Sequence, residues 1–257
     1  MSAADGEVLV VKFGGTSLLT PARVRRAAAR VARLVEAGRR VVVVVSAMGH
    51  TTDRILGALE AVAGGASEEA CRREADRALA TGEDLSAALL AAALLARGVP
   101  SRSLRGGEAG VRARGGFGSA RVARVETRRL TALLARGVVP VVSGFQGERE
   151  DRETATLGRG GSDTSAVAIA AALGPVPCHI VTDVDAVYER DPRSDPSARR
   201  LPRLTHEALV ALANGGAEVV HPEAARIARR HRVPLRVLSF AARPGDEGAG
   251  TFVGGRP

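Results

Sequence analysis

The sequence predicts an α/β fold with a parallel β-sheet. Short apolar runs alternate with amphipathic helical segments along nearly the whole chain. Residues 41–45 are five consecutive valines, a pattern typical of a strand that is buried on both faces of a parallel sheet. With 257 residues, the chain can form one large domain or two small ones, and either arrangement buries a sizeable core.

The first predicted strand, residues 8–11, ends in Lys12, Gly14 and Gly15. Lys12 is the only lysine among 37 basic residues. A flexible ammonium group next to glycines, whose backbone can approach a ligand closely, suits a phosphate pocket. The alternative is a solvated lysine beside a turn. A Walker loop is excluded, because there the lysine follows the glycines and this chain has no second lysine.

Helix and strand signals alternate after this loop. Proline opens an amphipathic helix predicted over residues 21–36, and Gly38 ends it. The valine strand leads into small polar residues at 46–53 and then into a helix through Ile55 and Leu59. Because ligands of open α/β sheets bind outside the carboxyl ends of strands, we expect the two polar loops to face one site.

The next segment is expected to form two helices separated by a polar break. Residues 68–77 form a charged helical piece and residues 85–97 an alanine- and leucine-rich one, with residues 81–84 between them. Thr81 or Asp84 could equally cap the second helix. Its apolar part is too short to span a bilayer and no signal peptide is visible, so we expect no membrane function.

Residues 106–125 are rich in glycine and arginine and predict a hairpin at the edge of the sheet. The glycines between residues 106 and 118 could form a mobile flap over a substrate, and a passive edge loop is the equal alternative. A helix over residues 127–136, a strand over 138–142 and a loop at 143–147 follow.

A second glycine-rich loop precedes an apolar helix whose first turn contains Ser162 and Asp163. The free N–H groups and the positive dipole end of such a helix bind anions. Arg159 lies between glycines, where a guanidinium could hold a carboxylate or a phosphate. The alternative is that Ser162 or Asp163 only caps a buried helix.

The last third continues the α/β alternation. A strand over residues 179–181 ends at Thr182, Asp183 and Asp185, and carboxylates at a strand end are candidates for binding magnesium or ribose. Tyr188, the only tyrosine, follows, and then an Asp-Pro-Arg segment that is equally suited to a turn. Helices at 205–213 and 222–231 and strands at 234–239 and 251–253 are predicted for the remainder.

The composition argues against several partners. The net charge of +9 suggests nucleic acid as a partner. Against this, the arginines are dispersed along helices and only six aromatic residues could stack on bases. Cys71 and Cys178 form no metal-ligand spacing, so we expect a reduced cytoplasmic protein that has no metal site of its own and binds no nucleic acid.

Six segments, taken in order, closely resemble aspartate kinase, a family of the amino-acid kinase superfamily. Their spacing resembles that of the monofunctional bacterial form, and the match covers nearly the whole chain, residues 8–253. The segments are Val-Lys-Phe-Gly-Gly-Thr-Ser at 11–17, Ser-Ala-Met-Gly at 46–49, Thr-Gly-Glu at 81–83, Val-Ser-Gly-Phe-Gln-Gly at 142–147, Thr-Leu-Gly-Arg-Gly-Gly-Ser-Asp at 156–163 and Thr-Asp-Val-Asp at 182–185.

The resemblance implies an open, mostly parallel sheet sandwiched between helices in three α/β/α layers. It implies a single kinase domain, with an N-terminal lobe, about residues 1–150, for the amino acid and a C-terminal lobe, about 151–257, for ATP. The reaction would transfer the γ-phosphoryl group of ATP, with Mg²⁺, to the β-carboxylate of L-aspartate. The products would be 4-phospho-L-aspartate and ADP, and the kinase lobes would pair into a homodimer.

The matching positions imply roles for particular residues. Lys12 would bridge the phosphates, Asp163 would orient Lys12, and Gly14 and Gly15 would offer backbone N–H groups to the transferring phosphoryl group. Glu83 would pair with the ammonium group of aspartate, and Arg159 with a carboxylate. The remaining acceptor contacts would be Ser46, Thr52, Gly160, Gly161 and Ser162. The nucleotide would contact Lys12, Gly14, Gly15, Thr16, Thr182, Asp183, Tyr188, Arg193 and Glu218.

Two features depart from the family pattern. Glu218 stands where the family usually has a lysine, which reverses a charge near the phosphates. The chain also ends where paired regulatory ACT modules would begin, so we expect no inhibition by lysine or threonine. Two other interpretations stay open: a kinase of the same superfamily for another amino acid or acidic metabolite in a specialised pathway, and a non-catalytic binding or regulatory homologue.

Overall fold

The structure, a computed structural model, describes residues 6–64, 68–190, 195, 197–215, 219–242 and 250–254. The first part of the chain contains β1 (Val8–Phe13), α1 (Pro21–Glu36), β2 (Arg40–Val45), α2 (Thr51–Ala63), α3 (Glu68–Leu95), β3 (Ser101–Leu104), β4 (Val111–Arg114), β5 (Arg121–Val125), α4 (Arg128–Ala135), β6 (Val139–Ser143) and β7 (Gln146–Glu148). The second part contains β8 (Thr154–Thr156), α5 (Gly161–Ala172), β9 (Cys178–Thr182), β10 (Val187–Tyr188), β11 (Arg200–Leu201), β12 (Arg203–Leu204), α6 (His206–Asn214), α7 (Pro222–His231), β13 (Leu235–Ser239) and β14 (Thr251–Val253).

The main sheet is mostly parallel and has helices on both faces, which confirms the predicted fold class. Across the described residues its strand order is β12-β14-β13-β9-β1-β2-β6-β3, and only the β13–β14 pair is antiparallel. The valines of β2 point alternately to the two faces. Val41 and Val43 pack in a core with α1 and α3, whereas Val42 and Val44 pack in a core with α4 to α7.

The strand order reverses direction next to β1. From β1 the chain adds β2, β6 and β3 on one side, and it adds β9, β13 and β14 on the other. A crevice opens outside the carboxyl ends of the strands where the order of an open α/β sheet reverses. Lys12 lies near the carboxyl end of β1, so the sheet places the only lysine of the chain at this crevice.

Helix α3 is continuous over 28 residues, so the predicted break was wrong. Thr81 and Asp84 lie inside the helix and do not cap it. The Thr81 hydroxyl donates to the Ala78 carbonyl of the same helix, and Asp84 accepts hydrogen bonds from Ser143 and Gln146. A glycine fits position 82 of the helix, because a Cβ there would lie only 2.9 Å from the Ala47 side chain. By length and composition alone α3 could cross a membrane, but half of its apolar stretch is buried in the protein and it carries the buried side chains of Asp76 and Glu83.

The predicted hairpin is formed by β4 and β5, which confirms it, but it does not extend the main sheet. It belongs to a second sheet with the order β5-β4-β7-β8. β7 was predicted as part of a loop and is a strand because it pairs with both β4 and β8. The short strands β10, β11 and β12 were not predicted, since two residues give no detectable periodicity.

Candidate active site

A cavity of about 260 Å³ lies at the carboxyl ends of β1 and β2, against the first turn of α5. The two polar loops expected to share a site both line it. Its lining residues are Lys12, Gly15, Ser46, Ala47, Gly49, Thr52, Glu83, Phe145, Gly160, Gly161, Ser162 and Asp163. A larger groove, about 1010 Å³, runs along the second sheet and contains none of the predicted site residues.

Lys12 and Asp163 form an ion pair in this cavity. Lys12 Nζ lies 2.7 Å from Asp163 Oδ1, and the two side chains are only 11% and 12% exposed. The second oxygen of Asp163 accepts a hydrogen bond of 3.4 Å from the His221 N–H. Burial raises the pKa of the neighbouring Cys178 thiol, and the charge of Asp163 adds to this effect, so Cys178 stays neutral. The ion pair with Asp163 holds the Lys12 ammonium in one place at the crevice.

The two glycines after β1 have different functions. The Gly14 N–H donates to the Val181 carbonyl at 3.0 Å, so it is not available for a phosphoryl group and that expectation was wrong. A Cβ on Gly14 would lie 3.7 Å from Lys12 Nζ. We find no backbone acceptor for the Gly15 N–H in the described part of the chain. A Cβ on Gly15 would lie only 2.5 Å from the Ala47 carbonyl oxygen, so a larger residue would separate the two strand-end loops.

Glu83 brings a buried carboxylate to the cavity. It is 3% exposed, and its Oε1 accepts the Ala47 N–H at 2.9 Å. Its Oε2 has no hydrogen-bond partner within the described residues. Burial raises the pKa of Glu83 to about 7. An unpartnered, buried carboxylate oxygen is costly to leave as it is, so this side of the cavity suits a cationic group such as an ammonium.

The opposite side of the cavity is the N-terminus of α5. Gly160 adopts a left-handed conformation (φ 70°) at the N-cap, and a Cβ there would overlap the imidazole ring of His221. Gly161 and Ser162 follow in the first turn. The Gly161 N–H donates to the Gly158 carbonyl at 3.0 Å, which leaves the Ser162 N–H and the helix dipole to favour an anion. Arg159 is exposed and does not line the cavity. The cavity therefore has an acidic side and an anion-binding side.

Phe145 is a cavity residue to which the sequence analysis gave no role. It has a positive φ of 66°, which is uncommon for a large side chain, and its carbonyl accepts the Leu157 N–H at 2.8 Å. Its place between two glycines just after a strand was the available signal. Ala47 and Gly49, which also line the cavity, carry no chemical signal at all.

The predicted nucleotide residues lie outside the cavity, apart from Lys12 and Gly15. Thr16 is exposed, and the Thr182 hydroxyl donates to Asp183 at 3.0 Å after β9. The Tyr188 hydroxyl donates to Asp185 at 3.0 Å, which raises the Tyr188 pKa. Asp191, Pro192, Arg193 and Glu218 lie outside the described residues. Within the described residues, no group of three or more His, Cys, Asp or Glu side chains could hold a metal ion.

Comparison with known proteins identifies the family. A sequence model described as the amino acid kinase family matches residues 7–239. The chain belongs to this family. It is 44% identical over 232 residues to an aspartokinase from Geobacillus stearothermophilus, an alignment that covers 90% of this chain and 56% of the relative. The chain thus spans little more than half the length of this curated relative.

Solved structures of amino acid kinases agree with this assignment. Aspartate kinase from Synechocystis superposes with a TM-score of 0.80 at 40% identity, covering 97% of this chain and 40% of that one. E. coli aspartokinase III in complex with aspartate and ADP superposes with a TM-score of 0.83 at 27% identity, covering 98% and 65%. The resemblance to aspartate kinase that the sequence motifs predict is confirmed.

Proposed function

We propose that this amino acid kinase transfers the γ-phosphoryl group of ATP to the β-carboxylate of L-aspartate. The observation that carries the proposal is the pairing, in one cavity, of the Asp163-held ammonium of Lys12 with the unpartnered Oε2 of Glu83. The relatives named aspartokinase and the structure that contains aspartate and ADP support this acceptor and this donor.

The acceptor fits the two sides of the cavity. An amino acid carries an ammonium group, which Glu83 binds through Oε2, and a carboxylate, which the Ser162 N–H at the positive end of α5 binds. These contacts leave the side-chain carboxylate of aspartate directed toward Lys12. The acceptor is held by both ends, so its reactive oxygen has a fixed position.

The transfer requires no proton movement. A carboxylate oxygen of aspartate forms a bond to the γ-phosphorus, and the bond from that phosphorus to the bridging oxygen of ADP breaks, with its electron pair leaving on ADP. The acceptor is already ionised, so no general base is needed. Lys12 stabilises the charge on the phosphoryl oxygens, and Asp163 keeps its ammonium in place. The Gly15 N–H is a further donor at the same end of the cavity.

Magnesium accompanies the nucleotide in this proposal. It neutralises phosphate charge, and it commonly uses one or two protein carboxylates together with phosphates and water. Asp183 and Asp185 follow β9, which neighbours β1 on the side of β13 and β14. They supply the carboxylates that such a magnesium ion needs. The C-terminal lobe would then supply most of the ATP contacts, and the N-terminal lobe most of the acceptor contacts. The partition is incomplete, because Gly160 to Asp163 line the acceptor cavity.

A hydroxylamine-trapping assay tests the function. With ATP, Mg²⁺ and aspartate, the purified chain should form an acyl hydroxamate, and omission of aspartate or chelation of Mg²⁺ should abolish it. Lys12→Ala should lower kcat by roughly 10²- to 10³-fold, as for the loss of one transition-state contact. Arg97→Ala, which removes an exposed basic residue, is the control and should leave kcat unchanged. No aspartate-dependent product from the wild type would contradict the proposal.

One observation favours a second candidate, a kinase for another amino acid or acidic metabolite. Arg159, expected to bind a carboxylate of aspartate, is exposed and does not line the cavity. An ADP-release assay over a panel of amino acids and dicarboxylic acids separates the two candidates. A higher kcat/KM for any acceptor other than aspartate selects the second.

We further propose that the protein is a cytoplasmic homodimer. The two cysteines are free, as in reducing compartments. One face of α3 is apolar and exposed, and it consists of Leu85, Ala88, Leu89, Ala92 and Leu95. Light scattering after gel filtration should give twice the chain mass for the wild type and for Ala61→Glu on α2, and the single mass for Leu89→Glu. A monomeric wild type would contradict the proposed homodimer.

A further inference from the structure

Asp76 on α3 is a buried carboxylate whose two oxygens are both occupied. It is 1% exposed. The Thr156 N–H donates to Oδ2 at 2.7 Å, and the Thr156 hydroxyl donates to Oδ1 at 2.7 Å. The Gly118 N–H donates to both oxygens at 3.0 Å. Asp76 therefore joins α3 to the tip of the β4–β5 hairpin and to the last residue of β8, and it has no cationic partner among the described residues.

The hairpin tip also packs directly on the loop that follows β8. The Ala120 N–H donates to the Thr156 carbonyl at 3.1 Å, and Phe117 and Leu157 share a small apolar cluster. A Cβ on Gly158 would lie 3.7 Å from the Gly118 carbonyl oxygen. The loop of residues 157–160 is thus held by the hairpin tip, and Asp76 holds both. These ties favour the passive loop over the mobile flap.

Asp76 lies on the same helix as Glu83. Seven residues separate them, which is two helical turns, so both side chains leave the same side of α3. Glu83 forms the acidic side of the acceptor cavity, and the loop of residues 157–160 leads into its anion-binding side at Gly160 and Gly161. A contact that fixes this loop against α3 also fixes the width of the cavity.

We propose that Asp76 is a positioning residue for the amino-acid acceptor. By tying Thr156 and Gly118 to α3, it sets the separation between Glu83 and the loop before α5, and so the spacing between the groups that bind the ammonium and the carboxylate of the acceptor. Asp76 itself lines no part of the cavity. The inference rests on the proposed function, because it concerns how that acceptor is bound.

The test compares two variants with two controls. Asp76→Asn replaces an acceptor oxygen by an NH₂ group that faces N–H donors, and Thr156→Val removes only the hydroxyl. Thr156→Ser keeps the hydroxyl and is the conservative control. Ser101→Ala is the matched control, because the Ser101 hydroxyl donates to Ala91 on the same helix at 2.9 Å, away from the cavity.

Kinetics give the first readout. Asp76→Asn and Thr156→Val should raise the KM for aspartate about tenfold, the worth of one well-placed hydrogen bond, with the KM for ATP unchanged. Thr156→Ser and Ser101→Ala should leave both constants unchanged. General destabilisation would raise both constants together or neither, and either pattern overturns the proposal. If Asp76→Asn does not fold, Thr156→Val and Thr156→Ser decide the matter.

Amide hydrogen exchange gives a readout that does not depend on turnover. In Asp76→Asn, the amides of residues 115–120 and 155–160 should exchange at least tenfold faster than in the wild type, with β2 and α1 unchanged, and Ser101→Ala should not show this. Unchanged exchange in these segments overturns the proposal. If the wild type phosphorylates no aspartate, the proposed function fails, while exchange still decides whether Asp76 holds the loop.

Discussion

Lys12 Nζ lies 2.7 Å from Asp163 Oδ1, and both side chains are almost completely buried. The pair joins the end of the central strand β1 to the first turn of α5, the two elements between which the cavity opens. A buried ion pair adds little net stability, but loss of one partner leaves an uncompensated charge in the interior. Removal of either partner alone should therefore impair both the function and the stability of this site.

Single substitutions in the pair should destabilise the fold more than the double substitution. Lys12→Met and Asp163→Asn should each lower the free energy of unfolding by roughly 3 kcal/mol, because each leaves one buried charge. The double variant should recover at least half of that loss while remaining inactive. Urea unfolding followed by circular dichroism measures all four proteins. Strictly additive losses would contradict the coupling.

Glu83 should make the unliganded protein less stable as the pH rises. Its pKa in the folded state is about 7, above the ordinary value of 4.5, so the folded state holds this proton between those values and the unfolded state does not. Stability is then lost as the pH rises from about 4.5 to 7, by roughly 3 kcal/mol for this group. Glu83→Gln cannot titrate and should lose this dependence.

The measurement is urea unfolding of the wild type and Glu83→Gln at pH 5, 6, 7 and 8 without ligand. The difference in unfolding free energy should move in favour of the variant as the pH rises, and it should level off above pH 7. A difference that stays constant over this range would show that the Glu83 pKa is ordinary. Ser101→Ala, which removes a non-titrating hydroxyl away from the cavity, is the control and should give a constant difference.

The same proton should control acceptor binding. Glu83 binds the ammonium group of the acceptor only when it is ionised, so kcat/KM for aspartate should fall about tenfold per pH unit below pH 7. Glu83→Gln should lower kcat/KM roughly 10²-fold at pH 8 and give no inflection near pH 7. At saturating ATP, the ratio of the wild-type kcat/KM to the Glu83→Gln kcat/KM at each pH isolates the contribution of Glu83. A parallel profile in the variant would assign the inflection to another residue.

The features that the sequence predicted are those written in local patterns. The valine run of β2, the placement of Lys12 at a strand end and the glycine loop before α5 are all visible within a few neighbouring residues. The errors concern residues whose partners are distant. Glu83, which lines the cavity, was placed in a break, because its partner Ala47 lies 36 positions away. Asp76 was not noticed, because its partner Thr156 lies 80 positions away.

The Gly14 error has the same origin. A glycine after a strand offers its N–H to a ligand only if no neighbouring strand takes it, and the Val181 carbonyl that does so belongs to β9. The cavity position of Phe145 likewise depends on a left-handed backbone that the sequence does not require of a phenylalanine. Tertiary pairing, and not local preference, decides these details of the site.

The close packing of Gly160 against the His221 ring should disfavour any larger residue at position 160. Gly160 has a φ of 70°, and a Cβ there would overlap the His221 ring. Gly160→Ala should lower the free energy of unfolding by about 2 to 3 kcal/mol, from backbone strain together with the overlap. His221→Ala removes the overlap but not the strain. The double variant should therefore be about 1 kcal/mol less stable than His221→Ala alone, since only the cost of the left-handed backbone remains. Thermal unfolding of the four proteins measures this cycle, and equal costs of Gly160→Ala with and without His221 would show that the ring does not enforce the glycine.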